Sequence, residues 1–340
     1  MNQKYHHLIP RTYLKSWCYS NKSIYVFNKE KRKYETKNIE NNFGITQFHS
    51  IVAGMPICEE NDLKKIFECL EGYDVYCKGK LLKSLKEYNE EYYLFDEWCI
   101  KKNEKELKSK EKNMKKSQIN KVKILEIENL WSSKYESKWD MLKNIIEDRV
   151  LNNNNHQVDE FYKGLLMRSL VAFNWRGFYG NEMFKSAYKW ISNLVELDTI
   201  DIPIEERIKG YLETGSDEME HYILLHKYRE FLRDTGVIYD MAKNYIKLMN
   251  VKFYVTQGKN KFITSDNPSF ISDNLEGKKV HIMPITPKIL IVAGIYPHNQ
   301  YNKKYLIDYV EDKEVKTINK IIFNNSIERV ISSDKNLKLC

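Results

Sequence analysis

The chain has 340 residues, of which 42% are hydrophobic and 13% aromatic, so it can bury a sizeable core and is too rich in aromatic residues for a disordered protein. Its longest apolar run, Ile289 to Tyr296, is far shorter than the roughly 20 residues of a membrane helix, so no membrane partner is expected. The segment Met1 to His7 lacks the apolar stretch of a secretory signal. We therefore expect a cytoplasmic protein, whose oligomeric state the sequence leaves open.

The net charge of +8 is concentrated in one segment, because residues 101–123 contain ten lysines and three glutamates and so carry +7. This Lys-rich segment has few apolar anchors and is expected to form a mobile loop or a solvated helix. Its functional interpretation is a patch that attracts the phosphate backbone of nucleic acid. The alternative is that it only keeps the protein soluble, since it lacks the arginine and aromatic residues of many nucleic-acid patches.

Apolar residues recur at helical spacing through most of the middle of the chain. The spacing predicts helices over residues 59–91, 124–151, 157–175, 182–197 and 219–233. Residues 59–250 are therefore expected to form a helical part, which contains the Lys-rich segment.

The two ends of the chain carry short β-patterned segments instead. Strands are predicted over residues 23–28, 33–37, 251–256, 262–264, 280–284 and 289–293, followed by a helix over 313–326 and an edge strand over 328–332. The expected fold is α+β, with a small, mostly antiparallel sheet built from N- and C-terminal strands around a large helical insertion. In this division residues 1–58 and 251–340 form the β-rich part and hold the functional site.

The first of two motifs with chemical potential is the pair His6 and His7, followed by Pro10 and Arg11. Successive side chains of an extended chain alternate, so if one histidine points into a cleft the other points away. A neutral imidazole near pH 7 can serve as a general base or a metal ligand. The alternative is that these histidines only make hydrogen bonds.

The second motif is the segment from Thr264 to Pro268, which follows a short apolar strand and contains Ser265, Asp266 and Asn267. Its carboxylate can orient a histidine, bind a metal ion or act as an acid or base. The alternative is ordinary turn chemistry, because Ser, Asp, Asn and Pro are the residues that turns favour.

Both motifs resemble those of the bacterial domain-of-unknown-function 4238 family, which typically begins with His-Tyr-Val-Pro and carries Thr-Ser-Asp-x-Pro. The matching positions are His7, Pro10, Tyr13 and Leu14, then residues 24–29, 264–268 and 283–287. The resemblance covers nearly the whole chain. It implies that His7 and Asp266 are partners in one site. Members of the family are similar to proteins found in bacterial defence or mobile-element settings.

The resemblance also points to two further residues. Asn319 matches an asparagine of the family's closing helix, and Arg176 is similar to the arginine of an Arg-Thr-Pro motif, although Gly177-Phe178 replaces Thr-Pro here. The family resemblance does not supply a reaction.

The leading hypothesis is a phosphodiester-cleaving enzyme, a nuclease of a bacterial defence or toxin type. His7 is its base or a metal ligand, Asp266 orients His7 or binds a metal, and Arg176 stabilises negative charge. A divalent metal ion is left open as the cofactor. The substrate-binding candidates are His6, Arg11, Ser265, Asn267 and Asn319.

The alternatives are a non-catalytic sensor or partner-binding protein, in which these motifs are structural, and an enzyme acting on a small nucleotide or another small molecule.

Overall fold

A computed structural model describes residues 5–177, 201–204, 206–296 and 303–335. Packing divides these residues into two units, each formed by separate stretches of the chain. The first unit contains residues 5–48, 130–177, 230–296 and 303–335, and the second contains residues 49–129, 201–204 and 206–229. The boundaries predicted near residues 58 and 251 separate β-rich sequence from helical sequence, and that division stays a prediction. The two packed units have different boundaries.

The α-helices of the described residues are α1 Arg11–Leu14, α2 Glu60–Ile66, α3 Leu85–Glu90, α4 Ser109–Lys121, α5 Glu126–Trp131, α6 Ser137–Leu151, α7 Lys163–Arg176, α8 Gly215–Leu232, α9 Gly236–Leu248 and α10 Asp312–Asn325. Short 3-10 helices occupy Lys15–Trp17, Glu68–Leu70 and Tyr92–Glu97, and a π-helical turn, Ser132–Glu136, joins α5 to α6. Among the described helices, none combines the length and the apolar character that crossing a membrane requires.

The strands of the described residues are β1 Tyr5–His7, β2 Ser23–Asn28, β3 Lys33–Asn38, β4 Gly44–Thr46, β5 Asp74–Cys77, β6 Lys80–Leu82, β7 Trp98–Lys102, β8 Lys105–Glu106, β9 Gln157–Asp159, β10 Asn250–Thr256, β11 Thr264–Ser265, β12 Phe270–Ser272, β13 Val280–Thr286, β14 Ile289–Gly294, β15 Lys304–Val310 and β16 Arg329–Ser332.

The first unit contains three sheets. A six-stranded sheet has the order β12-β13-β14-β10-β15-β9, in which β10 and β15 run parallel and the other neighbours run antiparallel. A four-stranded antiparallel sheet has the order β11-β16-β2-β3, and β1 pairs with β4. The second unit carries a four-stranded sheet of order β6-β5-β7-β8. The α+β class with mostly antiparallel sheets is thus confirmed.

Helix α10 supplies one side of the main core of the first unit. Val315, Ile318 and Ile322 recur at helical spacing and are buried against Val292 of β14 and Val330 of β16 in one apolar cluster. A capping box between Glu311 and Glu314 starts the helix. This packing fixes β16, and with it the turn that precedes β16.

The expected helix over residues 59–91 is wrong between residues 74 and 82, where β5 and β6 form a hairpin between helices α2 and α3. Lys78 and Gly79 between these strands both have positive φ, 49° and 80°, as the tight two-residue turns of hairpins require. Val75 and Leu82 are therefore buried as cross-strand neighbours, although their spacing also fits a helix.

The N-terminal strands share a sheet with C-terminal strands, as expected. Strand β2 pairs directly with β16, and β11 joins the same sheet on the other side of β16. The segment 328–332 was expected to be an edge strand and is instead central in this sheet. Most of the strands between residues 250 and 294 belong to the six-stranded sheet.

Three other expectations concern helices in the middle of the chain. The Lys-rich segment, expected as a loop or a solvated helix, forms helix α4 over residues 109–121, while residues 101–102 and 105–106 belong to strands β7 and β8. The helix predicted over 157–175 begins only at Lys163, because residues 157–159 pair with β15 as β9. The helix predicted over 182–197 lies outside the described residues.

Candidate functional site

Strand β1 places the two N-terminal histidines on opposite faces, as alternation predicts. Pairing of Tyr5 with Thr46 and of His7 with Gly44 fixes this strand against β4. The side chain of His6 is fully buried, whereas that of His7 is half-buried. Of the two candidates, His7 is therefore the one that stands near a surface.

The ring of His7 is held in one tautomer by backbone oxygens. Its Nε2 lies 3.2 Å from the carbonyl oxygen of Ile39 and 3.0 Å from that of Glu40. Because carbonyl oxygens only accept hydrogen bonds, Nε2 carries the proton and Nδ1 carries the lone pair. Burial, together with the nearby charge of Arg11, lowers the pKa of His7 below its ordinary value, so the ring is neutral at pH 7.

Directly after Pro10, helix α1 places Arg11 and Thr12 at a small cleft with a volume of about 230 Å³. We call it the Arg11 cleft. Its lining residues come from α1 and the 3-10 helix after it, from the open end of the β2–β3 hairpin and from the π-helical turn, and they are Arg11, Thr12, Lys15, Lys22, Ile39, Glu40 and Glu136. A cavity of this size accommodates a single small group such as a phosphate.

The cations of the Arg11 cleft differ in how firmly they are paired. Lys22 lies 2.6 Å from Glu40, while the guanidinium of Arg11 lies 3.8 Å from the same carboxylate. Lys15 lies 3.7 Å from Asp140. The side chains of Arg11 and Lys15 are 54% and 60% exposed, and such long, solvated ion pairs contribute little stability. Both cations can therefore exchange these partners for an anionic ligand.

Arg176, predicted to contact phosphate, lies behind the cleft rather than in its lining. It ends helix α7, is only 2% exposed and donates a hydrogen bond from Nη1 to Glu136. Its guanidinium also lies over the ring of Trp131, 5.2 Å from the centroid. Arg176 therefore positions Glu136 and neutralises one of the two carboxylates of the cleft.

Asp266 has partners other than His7. Its Oδ1 accepts a hydrogen bond from the backbone N–H of Ile327 at 2.9 Å, and its Oδ2 accepts from Glu328 at 2.7 Å and Arg329 at 2.8 Å. Asp266 is 3% exposed, and burial raises its pKa while the three N–H groups oppose that rise. In the described part of the chain, the expected hydrogen bond between Asp266 and His7 is absent.

The remaining residues of the second motif also hold the backbone in place. Ser265 Oγ bonds the backbone of Asn267, and the Asn267 amide donates to the carbonyl oxygen of Asn325 at 2.9 Å. Asn319 accepts from the backbone N–H of Ile263 at 3.1 Å and donates to a carbonyl oxygen of the same loop. All three candidates are buried, so they fix this loop to helix α10.

The two sequence motifs nevertheless meet, through residues that were not predicted to be functional. The hydroxyl of Tyr13 lies 2.6 Å from Thr264 Oγ1 and donates to the carbonyl oxygen of Pro284 at 2.8 Å. Since the phenol has one proton, Thr264 is the donor to Tyr13. Tyr13 and Thr264 are fully buried. This contact locks helix α1, and so Arg11 and Lys15, onto the sheets.

A second basic segment was also missed. Residues 11–37 contain eight lysines and arginines and two glutamates, a net charge of +6. Three of these cations, Lys31, Arg32 and Lys33, are consecutive at the β2–β3 turn, and the others are spread singly between Arg11 and Lys37. The pairing of β2 with β3 brings Lys22 and Lys37 to the same end of the hairpin.

The Lys-rich segment lies in the second unit, where part of its charge is engaged. Lys115 stands over the ring of Tyr73 at 4.3 Å, and Lys116 lies 2.8 Å from Asp96. Other lysines of the segment are exposed, namely Lys102, Lys105, Lys108, Lys110 and Lys121. The exposed subset is the part of this segment that can attract a polyanion.

Two buried ionic groups of the second unit were not anticipated. Arg229 is 3% exposed and lies 2.8 Å from Asp62 and 2.7 Å from Glu126. His49 is fully buried, 2.6 Å from Glu128. Their partners are distant in sequence, so no local pattern reveals them. A cavity of about 730 Å³, lined by residues of the loop 54–58 and of helices α2 and α3, contains no residue predicted for the site.

A family model described as a protein of unknown function, DUF4238, matches residues 5–336. The chain belongs to the DUF4238 family. The match includes the His7–Leu14 motif, the Thr264–Pro268 motif and Asn319, in agreement with the resemblance seen in the sequence. No curated protein and no solved structure matched the chain. In this DUF4238 protein the first motif contributes to a cleft, and the second is part of the buried framework behind it.

Proposed function

We propose that this DUF4238 protein binds nucleic acid, with a backbone phosphate in the Arg11 cleft. The observation that carries the proposal is the convergence of Arg11, Lys15 and Lys22 on a cleft whose two carboxylates are already paired with cations. Glu136 is held by the buried Arg176 and Glu40 by Lys22. The exposed Arg11 and Lys15 therefore remain available to a ligand.

Phosphate fits this arrangement chemically. A guanidinium presents donors in a fork that matches phosphate oxygens, and lysine adds a mobile point charge. Polynucleotides also gain affinity from release of condensed counterions, so a cluster of a few cations suffices for measurable binding. The net charge of +6 over residues 11–37 extends the attraction beyond the cleft.

The test is the affinity for a labelled oligonucleotide, measured by fluorescence anisotropy. We expect the double variant Arg11→Gln/Lys15→Gln to bind at least about tenfold more weakly than wild type at low salt. The matched control is Lys64→Gln/Lys86→Gln, which removes two exposed lysines of the second unit. Equal affinities of wild type and the Arg11/Lys15 variant would contradict the proposal.

A second candidate function, cleavage of the bound phosphodiester, is favoured by the state of His7. Its Nε2–H is fixed by two carbonyl oxygens, and because burial lowers its pKa, Nδ1 is unprotonated at pH 7 and can accept a proton. In this reaction Nδ1 takes the proton of the attacking hydroxyl or water, whose oxygen bonds to phosphorus. The leaving oxygen departs with the electron pair of the broken bond and is protonated by solvent, while Arg11 stabilises the developing charge.

Incubation of labelled DNA and RNA with and without Mg²⁺ tests cleavage. We expect wild type to cut, His7→Gln to bind but not cut, and Asp266→Asn to cut when folded. If all three proteins bind and none cuts with or without the ion, the protein is a non-catalytic binding protein and the cleavage hypothesis is wrong. A background nuclease in the preparation would cut equally in the His7→Gln sample.

A further inference from the structure

One face of the β2–β3 hairpin carries a group of aromatic rings. The register places Tyr25 opposite Thr36 and Phe27 opposite Tyr34, so these side chains share a face of the sheet. Tyr19 stacks on Tyr25, with ring centroids 4.0 Å apart and planes 10° from parallel. We call Tyr19, Tyr25 and Tyr34 the tyrosine face.

The tyrosine face is open to solvent. Tyr19 is 41% exposed and Tyr34 is 38% exposed, while Tyr25 is half-buried. Phe323 of helix α10 contacts Phe27 of β2 and covers the part of the sheet around Phe27. Of the exposed rings, Tyr34 lies on β3, which is an edge strand, and Tyr19 lies against Tyr25 of β2.

Positive charge lies at both ends of the hairpin that carries this face. At the turn, Lys31 and Arg32 are exposed and make no salt bridge with any residue the structure describes, while Lys33 alternates with Tyr34 and lies on the opposite face. The turn is fixed by a hydrogen bond of 2.8 Å from the Lys31 N–H to Asn28 Oδ1. At the opposite end of the hairpin, Lys22 belongs to the Arg11 cleft.

We infer that the tyrosine face binds single-stranded nucleic acid by base stacking, with the sugar-phosphate backbone running from the hairpin turn to the Arg11 cleft. The inference rests on the proposed function and specifies its substrate class. Exposed rings with adjacent cations are the combination that binds unpaired bases, since every base has a stacking face and every nucleotide a phosphate. The stacked Tyr19–Tyr25 pair presents a flat ring that a base can extend.

A duplex does not fit this surface in the same way. Its bases already stack on one another and expose only their edges in the grooves, so the rings gain nothing from them. Lysines on an edge strand also protect against strand-to-strand aggregation. That role explains Lys33 and Lys37 but not the exposed rings, and it predicts no effect of the tyrosines on binding.

The experiment compares a single-stranded oligonucleotide with the duplex of the same sequence, as DNA and as RNA, by fluorescence anisotropy. Loss of a ring that stacks on a base lowers affinity about tenfold or more. We expect that loss for Tyr19→Leu and Tyr34→Leu with single strands, and none with the duplex. Tyr19→Phe keeps the ring and should bind like wild type. Tyr93→Leu, at a tyrosine of the second unit that is 79% exposed, is the matched control.

The outcomes separate this inference from the function on which it rests. If Arg11→Gln/Lys15→Gln weakens binding but the tyrosine variants do not, the stacking inference is wrong, while the phosphate site in the Arg11 cleft is supported. If the tyrosine variants weaken single-strand binding but Arg11→Gln/Lys15→Gln does not, the phosphate site proposed for the Arg11 cleft is wrong. Equal losses for duplex and single strand overturn the inference. Binding to phosphatidylserine vesicles that depends on Tyr19, with no binding to oligonucleotides, overturns both in favour of a membrane surface. Unfolding midpoints equal to that of wild type show that the variants are folded.

Discussion

Tyr13 and Thr264 are joined by a buried hydrogen bond of 2.6 Å, although 251 residues separate them in the sequence. This contact, and not one between His7 and Asp266, unites the two DUF4238 motifs of the chain. The Tyr13 hydroxyl donates its own hydrogen bond to the Pro284 carbonyl oxygen, so three segments of the first unit converge on one phenol. The cleft residues of helix α1 depend on this buried junction for their position.

Removing the Tyr13 hydroxyl should therefore destabilise the fold. Tyr13→Phe leaves the Thr264 hydroxyl and the Pro284 carbonyl without this partner, and we expect a loss of about 2–3 kcal/mol in the free energy of unfolding. Urea unfolding measures it, with Tyr93→Phe as an exposed control. In a double-mutant cycle with Thr264→Val, we expect a coupling of about 1 kcal/mol. Additive effects would show that the hydrogen bond does not contribute.

Asp266 should behave as a structural residue. Asp266→Ala leaves three buried backbone N–H groups without an acceptor, and we expect it to lower the free energy of unfolding by about 3 kcal/mol or more. Asp273→Ala, an exposed aspartate of the same region, is the control. A folded Asp266→Ala protein of wild-type stability that loses only an activity would instead support the catalytic role expected from the sequence.

The sequence predicted the elements that rest on local periodicity. Helix α10 and strands β10, β13 and β14 lie within two residues of the expected bounds, because their apolar residues repeat at the period of the element that buries them. The β5–β6 hairpin was missed because its short apolar runs fit either period, and the informative signal was the Lys78-Gly79 turn.

The site was predictable only in part. Alternation correctly placed His6 and His7 on opposite faces, and two residues of the first motif, Arg11 and Thr12, line the Arg11 cleft. The partners of Asp266 could not be read from the sequence, since they are backbone groups about 60 residues away that any residue type provides. Glu40 and Glu136 reach the cleft only through the tertiary fold.

His281 should make the first unit sensitive to acid. It is fully buried between Ser269, 2.6 Å away, and the hydroxyl of Tyr245, and burial lowers its pKa to about 3. Because the folded pKa lies below the unfolded value of about 6.5, the neutral ring stabilises the fold above pH 6.5, and this contribution is lost progressively as the pH falls toward 3. At pH 5 the loss should be about 2 kcal/mol relative to pH 7.

Urea unfolding at pH 7 and pH 5 tests this expectation. His281→Asn should be less stable than wild type at pH 7 but should lose less stability between the two values. An equal loss in both proteins would assign the acid sensitivity to other groups.

The Lys-rich segment should add affinity for nucleic acid without setting specificity. Replacing its exposed lysines 102, 105, 108, 110 and 121 with glutamine should weaken binding most at about 50 mM salt, equally for all sequences tested. The packed lysines Lys115 and Lys116 serve as a contrast, since their replacement should lower stability more than affinity. Equal affinity of the five-lysine variant and wild type at low salt would reject a role for this segment.

The salt dependence of binding tests the central claim most directly, because it counts phosphate contacts. The logarithm of the binding constant of a single-stranded oligonucleotide is measured against the logarithm of salt concentration for wild type, Arg11→Gln and Lys15→Gln. If each cation of the Arg11 cleft contacts a phosphate, each single variant should reduce the slope by about 0.7. Slopes identical to that of wild type in both variants would contradict the phosphate site.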